Sequence, residues 1–570
     1  MFSHSVLDQA STTAARPVSS AQRFLLPSVR DIIFIFLFWS LLAGPLSHLP
    51  LADADIGWHI RTGELILATH SLPRTDPFSS TMLGKPWFAW EWLYDLTLGI
   101  LDRAGGLNGV VWLCALLVAA TFTLLLSQLL RRGTGLLLGI ALMLLAEAAA
   151  MIHLYARPHI VSWLFSLLWF MALERWERSE RGDGAERGRP PRWLAWFFPA
   201  SMLLWVNLHG GWLFGIALLG IYAFAGFVDS LRGRDALARI RTAQRSRMMA
   251  LAWVTSVMAT FANPFGWHLH AHIYGYLTDS YLMNHIDEFR SPDFHGWAQR
   301  SFAMILALVV VAFAGDRLSD GGSQGQGSGN RSGSRLDHRN QLRLSQTLVV
   351  LLAVYAGFYS SRNLPVSSML LVLIAGPVLR DKFAALVENP VAWWWVRRVT
   401  GRILDFSERM GALEIQLRRH LWPVVAVIFA LAICLHGGRV GQLQLMNAEF
   451  DPEKMPVVAV SFLGKEAQRG GLNQEPVFST DAWGGYLIYV MYPDRKVVVD
   501  DRHDLYGSER IRQYLILTQV EPGWQNVLER WQIRTALLPA DSTLANLLRE
   551  LPQDWQVVYK DEVAAVFERR

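Results

Sequence analysis

Asp53 and Asp55 stand one residue apart in LADADIGWHIRTGELILATH, on the stretch that leaves the first apolar run of the chain. An Asp-x-Asp pair can present two carboxylates to one divalent cation, or offer one of them as a base. His59 and Arg61 follow closely, with Trp58, Glu64, Asp76, Trp87, Trp90 and Glu91 on the same polar segment. A second reading makes Asp55 the N-cap of a helix GWHIRTGELILATH lying against a membrane interface. That reading leaves Asp53 unexplained.

Further polar groups recur at short corners between apolar runs. LYARPH supplies Arg157 and His159, NLHGGW supplies Asn207 and His209, and the segment 263–297 supplies Glu288 among several histidines and acids. SSRNLP adds Arg362 and Asn363, and Glu147 lies inside an apolar run. Each corner alone is an ordinary helix turn. Together they gather His, Arg, Asn and carboxylates toward one face, and ionisable groups near a bilayer are costly unless they have a function.

The elements that must position these residues are apolar. Of 570 residues, 52% are hydrophobic and only 18% charged, with a mean hydropathy of +0.23. Apolar runs begin at residues 31, 110, 135, 160, 193, 212, 249, 302, 347, 366 and 421. With their Trp- and Tyr-bearing flanks they predict a polytopic α-helical membrane protein of about eleven transmembrane helices. Placing the N-terminus inside puts about thirty basic residues in the inner loops and about eight in the outer ones. The net charge of +5 therefore reflects topology, and no nucleic-acid partner is inferred from it.

The domain reading follows. Residues 1–30 form a disordered cytoplasmic tail, 31–437 a transmembrane bundle with a first outer loop at 50–92, and 316–345 a flexible Gly/Ser-rich cytoplasmic loop. Residues 438–570 lie outside as an α/β domain, because strand-like and helix-like segments alternate from VFST to VFER. Within it, VVVDDRHDLYG gathers Asp500, Asp501, Arg502 and Asp504 at the C-terminal end of an expected strand, where α/β ligands bind. Cys114 and Cys434 both sit in apolar runs, which excludes a disulfide framework.

A first span, an outer loop opening on an Asp motif and many further spans resemble the GT-C class of membrane glycosyltransferases. The loop looks closest to oligosaccharyltransferase catalytic subunits, on Asp53, Trp58, His59, Arg61 and the run Asp76-Pro77-Phe78. The arrangement also resembles a set of bacterial membrane proteins with WxNLHGG, NPFG and SRN corners. AWGGYLIY resembles the outer-domain Trp-Trp-Asp-Tyr-Gly element that grips the acceptor, with Trp483 and Tyr486 in place and glycine replacing the acid.

The resemblance implies a lipid-linked sugar donor on polyprenyl phosphate, with Asp53 and Asp55 at the catalytic centre and a divalent cation, Mg or Mn, as cofactor. Arg157 and Arg362 would hold the donor phosphate, since a guanidinium matches phosphate geometry. The acceptor would be a glycan, lipid or protein of the cell envelope, outside the inner membrane. Two other functions remain open on the residues alone. One is a non-catalytic scaffold of envelope glycan assembly; the other, ranked third, is a transporter, which would be expected to show paired halves and broken helices at the midplane.

Overall fold

The computed structural model describes residues 25–181, 193–232, 236–314, 342–389, 392–417, 420–468 and 475–570. Most of the expected N-terminal tail and of the 316–345 loop lies outside the described residues. Each apolar run falls on its own helix, from Val29–Leu42 to Leu421–Leu435. Among the described residues, Leu107–Arg131, Leu136–His153 and Trp212–Arg232 are long and apolar enough to cross a membrane, and four more apolar helices are shorter. The chain is mostly helical, and the figure of eleven crossings goes beyond what length and apolarity establish.

The first loop is far from irregular. It folds into helix α2 (Ile56–Thr69), taking α1 as Val29–Leu42, and leads into α3 (Trp92–Gly105). These two pack backbone to backbone, because a Cβ on Gly63 would stand 1.9 Å from the carbonyl oxygen of Asp95. Only glycine permits that approach. Between them, Asp76 accepts from the backbone N–H of Phe78 at 3.1 Å and of Ser79 at 3.0 Å, closing the Asp-Pro-Phe turn. The corner before Arg157 is pinned separately: the Ala156 N–H donates to the Pro50 carbonyl at 2.9 Å, and the Tyr94 hydroxyl donates to the Ala156 carbonyl at 3.0 Å.

The C-terminal domain holds a four-stranded mixed sheet ordered Val477–Ser479, Thr535–Pro539, Ala564–Arg569, Trp555–Lys560. The first pair is parallel and the other two are antiparallel. The strand expected at KVVVD differs. It is reduced to single parallel bridges from Val497, to Val477 on one side and to Ser79 of the first loop on the other. The reason is topological: this segment serves as a seam between the domain and the loop, so neither neighbour pairs along its length.

The same seam is sealed by helix packing. The helix Asp481–Met491 lies over the start of α2, where a Cβ on Gly485 would stand 2.3 Å from the Ala54 carbonyl oxygen, and one on Gly57 would stand 2.2 Å from the Gly485 oxygen. Arg61 donates its Nε–H to the Tyr489 carbonyl at 2.7 Å. The domain is therefore docked on the very backbone that carries Asp53 and Asp55.

Candidate active site

Docking brings a third carboxylate to the first two. Ligand oxygens of Asp53, Asp55 and Asp501 all lie within 4.8 Å of one another. Asp55 occupies the N-cap position of α2 but makes no capping hydrogen bond, which overturns the capping alternative. Instead its Oδ2 meets Arg157 Nη2 at 2.9 Å, while Asp53 Oδ1 accepts the Asp55 backbone N–H at 2.9 Å. Asp53 thus shapes the turn as well as charging it.

Arg157 is the hub. Its Nη1 reaches Asp53 Oδ2 at 3.0 Å and Glu288 Oε1 at 2.7 Å. Burial opposes its charge, yet Glu288 and Asp53 beside it hold its pKa above the ordinary arginine value. Burial would likewise raise Glu288, but Arg157 and Arg362 keep it ionised and well below the usual carboxylate range. The corner that presents Arg362 is tied to this acid, because Ser360 Oγ donates to the Glu288 carbonyl at 2.8 Å. Arg362 then stands 3.5 Å from Glu288 Oε2 and 3.3 Å from His209 Nε2.

The aspartates respond to burial differently. Burial raises Asp53, against the pull of Arg157 and with help from Glu288. Burial, then the nearby Asp53, pushes Asp501 up to about 7. Asp55 Oδ1 and Asp501 Oδ1 are buried without a hydrogen-bond partner. Two orphaned carboxylate oxygens facing a shared centre are an uncompensated cost in a folded chain. A hard, oxygen-seeking divalent cation would meet both, so the residues fit such an ion.

A second polar chain runs behind this centre, and the sequence reading assigned it no role beyond His59 and His209. Asp95 accepts from His59 Nδ1 at 2.6 Å, and His59 Nε2 lies 3.9 Å from Glu91 Oε2. Glu91 Oε1 in turn lies 3.7 Å from His209 Nε2, whose Nδ1 is 2.7 Å from Ser162 Oγ. Burial pushes Glu91 up to about 8 and both imidazoles down, so this chain is neutral near pH 7. Glu91 and Asp95 flank the start of α3; the sequence reading named Glu91 only as one polar group of the first loop, and an acid in a first helical turn reads as an ordinary capping group, which hid Asp95.

Glu91, His209 and Arg362 line one wall of a cavity of about 390 Å³. Trp163, Phe214, Ile273 and Val366 give it an apolar body, and His159 and Asn363 also border it. The remaining sequence candidates are placed elsewhere. Asn207 is tied down by the Trp92 indole at 2.8 Å and by the Ala262 carbonyl at 3.0 Å. Glu147 is buried within its helix, with no hydrogen bond or ion pair among the described residues. Arg61 serves the docking seam.

Two expectations for the C-terminal domain are corrected. Asp500 and Arg502 form a buried structural pair, with Arg502 Nη2 at 2.7 Å from Asp500 and 2.8 Å from Asp76. The Arg502 guanidinium also stacks over the Trp87 ring at 4.6 Å, so it is consumed in joining loop to domain. Trp483 and Tyr486 are 6% and 5% exposed. The Trp483 indole donates to the Lys454 carbonyl at 2.9 Å, and the Tyr486 ring packs on Phe450 at 5.0 Å. Neither presents a face to an acceptor. Of the two glycines between them, Gly485 carries the docking on the first loop, and Gly484 lets the helix close on Asp500 of its own domain.

No protein-family model matches the chain, and no curated protein matches it in sequence. Among solved structures it is similar to the archaeal oligosaccharyltransferase AglB from Archaeoglobus fulgidus, solved in complex with an inhibitory peptide and a dolichol-phosphate. The identity is 12% and the TM-score 0.50, over 90% of this chain and 69% of that one. Two other structures of the A. fulgidus oligosaccharyltransferase show the same coverage with TM-scores of 0.49. One is the apo form, at 11% identity, and the other is tethered to an acceptor peptide containing the NVT sequon, at 12%. At this identity the likeness is one of fold: the chain shares the architecture of these oligosaccharyltransferase structures.

Proposed function

We propose that the chain is a membrane glycosyltransferase. It moves a sugar from a polyprenyl-phosphate-linked donor to an envelope acceptor, at the outer face of a bacterial-type inner membrane, with the N-terminus cytoplasmic. The observation that carries this reading is the meeting of Asp53 and Asp55 with Asp501 beside Arg157, next to an apolar cavity that opens on Arg362. A lipid-linked donor needs that combination, with apolar walls for the prenyl chain, a guanidinium for phosphate and carboxylates at the reacting end.

In the reaction the acceptor oxygen or nitrogen bonds to the anomeric carbon as the bond from that carbon to the phosphate oxygen breaks. The acceptor proton goes to Asp53, and the electron pair leaves with polyprenyl phosphate. Burial raises the Asp53 pKa, which makes it a better proton acceptor than an exposed aspartate. Asp55 and Asp501 hold the acceptor end in place, and Arg157 stands between the charges of Asp53, Asp55 and Glu288. A divalent cation held by Asp53, Asp55 and Asp501 would supply Lewis-acid stabilisation of the charge on the leaving phosphate.

Arg362 on a tight corner can give the donor phosphate two N–H groups, where lysine gives a point charge. Arg362→Lys should therefore weaken donor-lipid binding roughly tenfold, about 1.4 kcal/mol, with insertion intact. A microscale binding titration with a polyprenyl-phosphate sugar reads this directly. Equal binding by wild type, Arg362→Lys and Arg362→Ala would remove Arg362 from the site.

Glu91 adds a pH signature. Its pKa of about 8 lies above the ordinary value, so it is neutral at pH 7 and ionises as pH rises through about 8. The charged and titratable groups around it are His59, His209, Arg362, Arg157, Asp95, Tyr94, Asp504 and Glu288. The ionised form competes with the donor phosphate for Arg362. The same sign holds for stability: a raised carboxyl contributes stability at low pH that is lost as pH passes the folded value. Donor affinity should fall between pH 7 and 9 in the wild type and stay level in Glu91→Gln. A level profile in both proteins would contradict this role.

The reading as a whole is tested by extracting the purified protein and examining its bound lipids by mass spectrometry. A polyprenyl phosphate, with or without sugar, is expected. Extracts that hold only bulk phospholipid, together with no binding of added donor, would favour the scaffold instead.

A further inference from the structure

The helix Trp394–Gln416 packs by one face and leaves two others open. On the packed face, Ser407 Oγ accepts from the Leu137 backbone N–H at 3.2 Å, and the Glu414 carboxylate accepts from the Val29 N–H at 2.8 Å. Arg397 donates its Nε–H to the Val387 carbonyl at 2.9 Å, and Arg380 meets Glu408 at 2.8 Å. These contacts set the helix at the end of the bundle opposite the carboxylates. Leu137 lies at the start of the helix Leu136–Ala150, whose far end leads toward the Arg157 corner about 22 Å away at 1.5 Å per residue.

The second face is apolar and bare. Trp395, Val399, Ile403 and Phe406 recur at intervals of four, four and three, which makes one stripe along a helix. All four are exposed, Val399 by 51% and Phe406 by 47%, and Trp393 and Trp394 at the helix start are barer still. The third face is cationic. Arg398, Arg402, Asp405 and Arg409 recur at four, three and four, about 90° round the axis from the stripe at 3.6 residues per turn. Arg398 and Arg402 are exposed and meet no carboxylate among the described residues. Arg409 gives its Nε–H to the Asp405 carbonyl at 3.2 Å and leaves the rest of its guanidinium outward.

Neighbours and charge decide what covers the stripe. Leu421, the start of the apolar helix Leu421–Leu435, is five residues beyond Gln416, so at most about 18 Å of extended chain separates the two. That helix turns Val424, Ile428 and Phe429 outward, each more than half exposed, where acyl chains would meet them. A second copy of the chain seated on the same stripe would set three arginines and one acid against the same set. An anionic lipid surface opposes that charge, and tryptophans suit the boundary between headgroups and acyl chains. We propose that Trp394–Gln416 lies in the plane of the membrane interface. Trp395, Val399, Ile403 and Phe406 sit among the acyl chains, and Arg398, Arg402 and Arg409 sit on anionic phospholipid headgroups. The proposal rests on the membrane reading of the chain and is separate from the donor chemistry at the other end.

The test places a bimane label at Phe406→Cys in the full-length protein, reconstituted in vesicles of mixed phosphatidylcholine and phosphatidylglycerol. Cys114 and Cys434 are buried, so the unsubstituted chain gives the labelling background. A label at Ile428→Cys, on the exposed face of Leu421–Leu435, is the reference for a lipid-facing position. The label at 406 should be quenched by nitroxide-bearing lipid and protected from aqueous iodide, as at 428. Nitroxide phosphatidylglycerol should quench it more than nitroxide phosphatidylcholine, and R398Q/R402Q should reduce that preference roughly fivefold per arginine removed. Iodide reaching 406 but not 428 would overturn the proposal and leave the membrane reading standing, whereas iodide reaching both would overturn the two together. Equal quenching by the two lipids would overturn the anionic assignment. Self-quenching between protein copies, relieved by dilution in lipid, would put a second copy on the stripe instead. If R398Q/R402Q fails to insert, the preference between the two lipids with both arginines in place decides alone.

Discussion

Asp53→Asn should lower sugar transfer by roughly 10²–10⁴-fold, the usual contribution of a positioned acid or base. Asparagine keeps the size and an acceptor oxygen for the Asp55 backbone N–H, now met at 2.9 Å, so the turn survives. What is lost is the charge facing Arg157 and the capacity to take a proton. Donor binding, carried by Arg362 and the apolar cavity, should stay within a fewfold of wild type. Transfer assays with lipid-linked donor, paired with a donor-binding titration, separate the two effects. Near-normal transfer would make Asp53 a structural residue of the first loop.

The second large effect concerns Arg157, the common partner of Asp53, Asp55 and Glu288. Arg157→Gln removes the cation from a buried acidic cluster, and breaking such pairs from one side costs about 3–5 kcal/mol. Unlike the Asp53 change, this one should be rescuable. A divalent cation bound only by the folded state returns about 2.7 kcal/mol at a hundredfold excess over its dissociation constant. Thermal midpoints should therefore fall in chelator and recover with added Mn or Mg, by more in Arg157→Gln than in wild type. Midpoints of both proteins that ignore the metal would leave the three carboxylates without a cation-binding role.

Much of this arrangement was legible in the chain, and the misses have physical causes. Apolar runs announced the helices because burial in a low-dielectric layer demands continuous hydrophobicity. Asp53 and Asp55 stood out because two acids in sequence just beyond such a run have few structural reasons to be there. The third carboxylate was harder. Successive residues of an extended segment point to opposite sides, so VVVDD offers Asp500 and Asp501 to different neighbours. Asp500 turns to Arg502 and Tyr506, and Asp501 turns to Asp53. Nothing local decides which faces the loop; the docking of Gly485 on Ala54 and Asp55 does. The same docking explains why AWGGY misled. Its aromatic residues fill the interior of the domain, and the informative positions were Gly484 and Gly485, whose value lies in the side chain they lack. Asp95 went unread and Glu91 was read only as one polar group of the loop for a related reason, since their shifted chemistry comes from burial among His59, His209 and Tyr94, contacts made across the bundle.

The central claim is that the carboxylate centre consumes a sugar carried on polyprenyl phosphate. Mass spectrometry of the polyprenyl-phosphate pool, in cells whose only copy is wild type or Asp53→Asn, tests it most directly. Sugar-linked polyprenyl phosphate should accumulate in the variant cells at unchanged protein level. Identical pools in the two strains, with both proteins correctly inserted, would contradict the account.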